Sequence, residues 1–183
     1  MAAGNHHSCG IRADGTAVCW GLNDSSQSDA PSGTFSAIAA GGGFSCAIRT
    51  TGTVACWGYS SGGRTSAPSG DFKAIASGDS HPCAIRTDNT VACWGAQSGR
   101  TYDNSDIPAG EFIAVTAGED YSCGIRTDRT AECWGSNWQR RSDPPTGEFI
   151  VIDAGMEHAC GISIEGTAEC WGSNRHGQLG VPK

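Results

Sequence analysis

A thirteen-residue pattern dominates this chain, because it recurs five times at nearly constant spacing. In one copy, Cys46 to Gly58, two cysteines stand ten positions apart and Trp-Gly closes the unit. The five copies occupy residues 9–21, 46–58, 83–95, 123–135 and 160–172, so successive copies begin 37, 37, 40 and 37 residues apart. Such a period is typical of arrays in which each repeat is one supersecondary unit. We therefore interpret residues 1–183 as a single repeat domain.

The cysteines predict one disulfide in each repeat. All ten fall into five pairs within the repeats, namely Cys9 with Cys19, Cys46 with Cys56, Cys83 with Cys93, Cys123 with Cys133, and Cys160 with Cys170. Free buried thiols and a metal site are the alternatives, although zinc-ligand cysteine pairs usually stand only two to four residues apart. Disulfides place a protein in an oxidising compartment, so we expect a secreted, extracellular protein.

The segment between paired cysteines reads as a β-hairpin. Pairing Cys46 with Cys56 leaves Thr50-Thr51-Gly52 as a three-residue loop, a type that commonly needs a positive φ at its last position. That position holds Gly15, Gly52, Asn89, Arg129 and Gly166, of which Arg129 is the departure that we expect to be strained. Strand alternation puts the cysteines on one face and the Trp-Gly tryptophan on the other, which predicts a sheet buried on both faces.

A second apolar segment precedes four of the hairpins. It reads Phe-x-x-Ile or Phe-x-x-Val and begins at Phe35, Phe72, Phe112 and Phe149. Adding it to the hairpin gives three or four strands per repeat. With 27 glycines and no sustained helical period, the chain is predicted to be all-β, a propeller of five disulfide-locked blades that is either closed or incomplete.

Charge and hydropathy exclude some partners. The net charge of −7, with only two lysines, gives no basic stripe for nucleic acid, and no apolar run is long enough to span a bilayer, so we expect neither nucleic-acid binding nor membrane insertion. The N-terminal residues lack the basic and apolar regions of a signal peptide, so we expect a removed signal or an excised piece. We expect no cofactor and no metal.

The repeats resemble a known family. The closing run from Cys170 to Gly180, Cys-Trp-Gly-Ser-Asn-Arg-His-Gly-Gln-Leu-Gly, and the recurring Ala-Gly-x-x-His-x-Cys-x-Ile-Arg-x-Asp-Gly-Thr are similar to the regulator of chromosome condensation repeat. The resemblance implies a β-propeller, and the paired cysteines look like a secreted bacterial branch. Family propellers typically have seven blades, whereas this chain has five hairpins and four Phe segments. The alternatives are an imperfectly closed ring, a fragment of a longer propeller, and chains that complete one another.

Two groups of residues are candidates for partner binding. The position two residues before each first cysteine holds His7, Phe44, His81, Tyr121 and His158, which would form either a recognition layer or a brace between blades. The second group breaks the repeat: Trp138 with Arg140 and Arg141 in one loop, and Tyr102 in another. Aromatic residues and arginines are common at protein interfaces, although loop packing is the alternative.

No motif for catalysis is present, so we do not expect an enzyme. The leading hypothesis is an extracellular scaffold that binds a protein partner through loops on one face. A structural protein that assembles head to tail into a ring or filament is the first alternative, and a glycan-binding propeller is the second.

Overall fold

The computed structural model describes residues 1–97, 100–101 and 107–181, and its strands form five three-stranded antiparallel sheets. Blade 1 contains β1 (Ala2–Ala3), β2 (His7–Ile11) and β3 (Ala17–Gly21), and blade 2 contains β4 (Phe35–Ala40), β5 (Phe44–Arg49) and β6 (Val54–Gly58). Blade 3 contains β7 (Phe72–Ser77), β8 (Pro82–Arg86) and β9 (Val91–Cys93), and the short pair β10 (Ala96–Gln97) and β11 (Arg100–Thr101) follows it. Blade 4 contains β12 (Phe112–Ala117), β13 (Tyr121–Arg126) and β14 (Ala131–Gly135), and blade 5 contains β15 (Phe149–Ala154), β16 (His158–Ser163) and β17 (Ala168–Gly172). Across these described ranges, helical structure consists of two 3₁₀ turns, Ser61–Gly63 and Trp138–Arg140.

The hairpins have the predicted register. Cys46 lies opposite Cys56, and the four equivalent pairs also face each other. Each pair forms a disulfide with Cα atoms 4.0–4.1 Å apart. The last loop position has a positive φ in all five hairpins, at Gly15, Gly52, Asn89, Arg129 and Gly166. The pairing, the loop and the expected backbone conformation of Arg129 are thus confirmed.

Each internal blade buries both faces, as the alternation predicts. The cysteine face packs on the next blade, so that Phe44, Cys46 and Ile48 of blade 2 join a buried cluster with Phe72 and Trp94 of blade 3. The tryptophan face packs on the preceding blade. Equivalent clusters join blades 1 and 2, 3 and 4, and 4 and 5.

The connecting loops seal these interfaces. The Trp57 indole donates to the carbonyl of Gln27 at 2.9 Å, and Trp171 donates to Arg141 at 3.1 Å, so each loop is fixed by the blade that follows it. The Phe segment extends the same contact, because the Phe35 amide donates to the Gly15 carbonyl in the hairpin loop of the preceding blade. An arginine at the end of the middle strand then covers the phenylalanine ring, as Arg49 does over Phe35 at 5.2 Å.

The first strands of all five blades surround a central axis. The turns between the first and second strands lie at one end of this axis, and we call that end the upper face. Backbone hydrogen bonds link these turns from one blade to the next. Ala3 and Gly4 of blade 1 and Ala154 and Gly155 of blade 5 line the same axial cavity of about 190 Å³. Glycine is needed in these turns, since a Cβ on Gly78 would collide with the carbonyl of Gly118. Blades packed around an axis in this way form a β-propeller.

The two end blades each leave one face uncovered. Trp20 of blade 1 is 49% exposed, whereas its four equivalents are 4–9% exposed. On blade 5, Cys160 and Ile162 are only partly buried, although the corresponding residues of blades 2 to 4 are fully buried. Among the described residues, the buried clusters account for four interfaces between blades and none joins blade 5 to blade 1.

Candidate functional site

The layer formed by the position two residues before each first cysteine lies between blades. His7, Phe44, His81 and Tyr121 are buried there, and His158 is partly buried on the uncovered face of blade 5. This is the bracing arrangement that the sequence allowed as an alternative. In this conformation the four buried side chains are not accessible to a partner, so they do not form the recognition layer.

A pairing rule connects this layer to the next blade. His7 Nε2 lies 2.8 Å from Ser45 Oγ, and His81 Nε2 lies 2.7 Å from Ser122 Oγ. Where the layer holds Phe44 or Tyr121, the position equivalent to Ser45 holds a residue with no hydroxyl, either Pro82 or Ala159. The Tyr121 hydroxyl instead donates to backbone carbonyls of Gly155 and His158. Each buried polar ring therefore has a hydrogen-bonding partner supplied by the next blade.

Burial shifts the pKa values within the layer. Loss of solvation lowers the pKa of His81 to about 4 and also lowers the pKa of His7, because the charged imidazolium is disfavoured away from water. Burial likewise raises the pKa of the Tyr121 hydroxyl. The two histidines are therefore neutral at pH 7 and act as hydrogen-bonding braces.

Carboxylates gather on the upper face close to the axis. Asp79, Glu119, Asp120 and Glu157 lie in successive turns. Burial and then the neighbouring Asp120 raise the pKa of the Glu119 carboxyl, while Arg141 opposes the rise. Within the described residues, no group of three or more His, Cys, Asp or Glu side chains is placed to hold a metal ion.

Arg141 is a structural residue at the edge of this acidic group. Its side chain is 4% exposed and lies 3.7 Å from Glu119 and 3.8 Å from Asp120. It also donates to the backbone oxygen and the hydroxyl of Ser136 at 3.1 and 2.8 Å. The sequence grouped Arg141 with the binding candidates, but its burial makes it a support for the loop rather than a contact residue.

Trp138 and Arg140 are presented to solvent by that loop. Trp138 is 47% exposed, and the Arg140 side chain is 85% exposed beside Asp143. The guanidinium of Arg175, from the loop after blade 5, lies over the Trp138 ring at 4.6 Å. With its amide oriented to satisfy both neighbours, Gln139 accepts from Arg175 at 2.8 Å and donates to Ser173 at 2.6 Å. We call Trp138, Arg140 and Arg175 the Trp138 surface.

The backbone of this loop is strained. Gln139 and Arg140 have φ values of 58° and 62°, a left-handed conformation that disfavours residues with a side chain. At the same two places in the loop after blade 2 the chain has Gly62 and Gly63, with φ values of 71° and 79°. Strain of this kind costs on the order of 1–3 kcal/mol per residue and often accompanies functional loops.

The sequence did not identify Arg175 as part of this surface, or Gln139 as the residue that holds Arg175. A usable signal was present, because Ser173-Asn174-Arg175 and Ser136-Asn137-Trp138 occupy equivalent places in consecutive loops. Tyr102, the other loop candidate, lies outside the described residues. In the described part of the chain no helix has the length and apolar character needed to cross a membrane.

Comparisons with known proteins agree with this architecture. The model of the Regulator of chromosome condensation (RCC1) repeat matches residues 1–27, 35–64, 72–99 and 149–178, which is more than half of the chain. A search of curated protein sequences finds no match.

Several solved structures share the fold. The ectodomain of the receptor kinase CR4 from Physcomitrella patens is 29% identical with a TM-score of 0.84, and the match covers 100% of this chain and 55% of that one. The CRINKLY WD40 ectodomain of the Arabidopsis thaliana receptor kinase ACR4 is 30% identical with a TM-score of 0.75, covering 93% and 61%. Prp20p from Saccharomyces cerevisiae, described with its binding to Gsp1p and histones, is 16% identical with a TM-score of 0.79, covering 98% and 59%. The chain thus spans little more than half the length of these structures.

The repeat match, the three-stranded blades and their packing around one axis lead to the same assignment. The chain belongs to the family of regulator of chromosome condensation (RCC1) repeat proteins.

Proposed function

We propose that this chain is a non-enzymatic scaffold that works outside the cell and binds a protein partner through the Trp138 surface. The observation that carries the proposal is the loop itself, which keeps a half-exposed tryptophan in a strained backbone where an equivalent loop has two glycines. Large aromatic residues and arginines contribute most of the binding energy at many protein interfaces.

The side chains around Trp138 are already held in place by neighbouring residues, which supports its role as a binding surface. Arg175 stacks on the indole, Gln139 holds Arg175, and buried Arg141 holds the loop against the acidic turns. A surface whose side chains are fixed in advance loses less conformational entropy on binding. The guanidinium over the ring also leaves less open aromatic face for a sugar, which favours a protein over a glycan.

An extracellular role agrees with the five disulfides, which persist in oxidising compartments. It agrees also with the similarity to two receptor ectodomains. Proteins of related fold are described with protein partners, as Prp20 is with Kap60. These similarities support a protein-interaction scaffold, and the Trp138 surface is our own assignment.

The test compares three forms of the chain immobilised on a resin and exposed to extracellular proteins from its source. We expect one protein to be retained by the wild type and lost with Trp138→Ala. Tyr59→Ala is the matched control, because Tyr59 is a similarly exposed aromatic beside an arginine in the loop after blade 2. Equal retention by all three forms would exclude the Trp138 surface.

A further inference from the structure

Arg140 has a backbone conformation that favours glycine, and its side chain gives the loop little stability in return. Gly63 and Gly177 hold the equivalent positions after blades 2 and 5. In the part of the chain that the structure describes, the exposed guanidinium of Arg140 pairs with Asp143, which is itself exposed. Ion pairs of this kind contribute little to stability. A residue that strains the backbone without stabilising the fold elsewhere is a candidate for a role in binding.

Arg175 is fixed in orientation but keeps hydrogen-bond donors for a ligand. With the Gln139 amide oriented as described above, Nε and Nη2 of Arg175 both donate to its oxygen at 2.8 Å. Nη1 of Arg175 has no acceptor among the described residues. Arg140 donates through Nε to Asp143 at 3.2 Å, and over the same described ranges both of its Nη atoms are open. Each arginine therefore presents one edge of its guanidinium to solvent.

Gln139 brings the two guanidiniums into one surface. It directly precedes Arg140 in the chain, and its side chain holds Arg175. The nearby Arg141 adds no open charge, because it is buried beside two carboxylates of the upper face. Arg140 and Arg175 are thus the guanidiniums that the Trp138 surface offers to a partner.

The positive charge belongs to these two loops and not to the fold. Trp138 and Arg175 stand three residues after the Trp-Gly glycine of their blades, and the same position after blade 1 holds Asp24. The chain as a whole has a net charge of −7. Arginine pairs with a carboxylate through two parallel hydrogen bonds. Two open guanidiniums in an acidic molecule therefore favour a partner that presents carboxylates at this place.

We propose that the Trp138 surface binds an acidic segment of its protein partner. One carboxylate of the segment pairs with Arg140 and another with Arg175, and the chain between them packs on Trp138. The indole supplies apolar contact area, and the two arginines select for negative charge. This inference rests on the proposed function, because it names the chemistry of the partner at the same surface.

The first experiment selects ligands from a random dodecapeptide library displayed on phage. The full chain is immobilised, and clones that also bind Trp138→Ala are removed. We expect the remaining peptides to be enriched in Asp and Glu by at least about twofold over the unselected library, because the open guanidiniums attract carboxylates. Enrichment in neutral or basic residues would overturn the acidic chemistry, and so would the absence of any peptide that depends on Trp138.

The second experiment measures the dissociation constant of one selected peptide by calorimetry. We expect Arg140→Gly and Arg175→Gln each to raise it by about two- to fivefold at low salt, as the loss of an exposed ion pair does. Arg129→Gln is the matched control, because Arg129 is an exposed arginine in the hairpin loop at the opposite end of blade 4. It should leave the dissociation constant unchanged.

Arg140→Gly separates binding from folding. Glycine relieves the strained backbone, so weaker binding by this variant with no loss of unfolding free energy cannot come from a poorer fold. Equal dissociation constants for the wild type and for all three arginine variants would overturn the proposal. The proposed function has a separate readout, the Trp138-dependent retention of a whole protein, so either conclusion can fail while the other stands.

Discussion

Arg140 adopts a left-handed backbone conformation in an exposed loop, and the residue itself is the source of the strain. The same place in the loops after blades 2 and 5 holds Gly63 and Gly177, with φ values of 79° and 80°. Glycine adopts this conformation without a steric penalty. We expect Arg140→Gly to raise the free energy of unfolding by about 1 kcal/mol, measured by urea denaturation. Arg140→Ala is the control, since alanine removes the guanidinium but keeps a Cβ. An equal gain from both substitutions would contradict the backbone explanation.

His81 makes the stability depend on pH. Its folded pKa of about 4 lies below the ordinary value of 6.5, so the unfolded chain binds its proton first as the pH falls. Stability from this residue is therefore complete above about pH 6.5 and is lost between pH 6.5 and 4, by on the order of 3 kcal/mol. The measurement is the unfolding free energy at pH 7, 5.5 and 4.

The control for this prediction is His81→Gln, which can still hydrogen bond to Ser122 but does not titrate. We expect the variant to lose less stability than the wild type over this pH range. Parallel losses in the two proteins would show that other groups, such as the carboxylates of the upper face, dominate the acid sensitivity.

At the scale of the element, the disulfide hairpin is the local unit of stability. The double substitution Cys46→Ala and Cys56→Ala removes one bridge from an internal blade. The unfolded chain then loses the covalent constraint that joined two residues ten positions apart. A loop of this size corresponds to about 2–3 kcal/mol in the chain-entropy account. We expect a loss of this order in denaturant unfolding, with the strands still formed by circular dichroism. A loss below about 0.5 kcal/mol would mean that packing between blades alone fixes the hairpin.

The hairpin was predictable because its causes are local in sequence. The cysteine spacing fixes the register, and the turn residue fixes the backbone of the loop, as Gly52 and Asn89 show. The burial of Arg141 was not predictable in this way. It depends on carboxylates from a turn about twenty residues earlier, and an arginine beside a tryptophan looks the same in sequence whether it points outward or inward. Arg175 joins Trp138 through packing between two loops, which also leaves no local pattern.

For the whole molecule, the blades form a linear array in which each repeat contacts mainly its neighbours. Stability in such arrays is approximately the sum of the repeats and the interfaces between them. The end blades should therefore contribute less than the internal ones, since each has one interface instead of two. The tryptophans at equivalent positions of an internal and an end blade test this idea directly, because the side chain is the same and only its burial differs.

Trp57→Ala and Trp20→Ala form the matched pair. Trp57 packs against Phe35 with ring centroids 6.4 Å apart and donates to the Gln27 carbonyl, so its removal leaves a cavity and takes away one of the two donors of that carbonyl, the other being the Ser45 hydroxyl. We expect Trp57→Ala to cost about 3–5 kcal/mol, as buried aromatic truncations do. Trp20 is half exposed, and its truncation should cost less than about 1 kcal/mol, in the range of surface substitutions. Similar losses for both, in a chain shown to be monomeric, would mean that Trp20 is covered in solution by another part of the molecule.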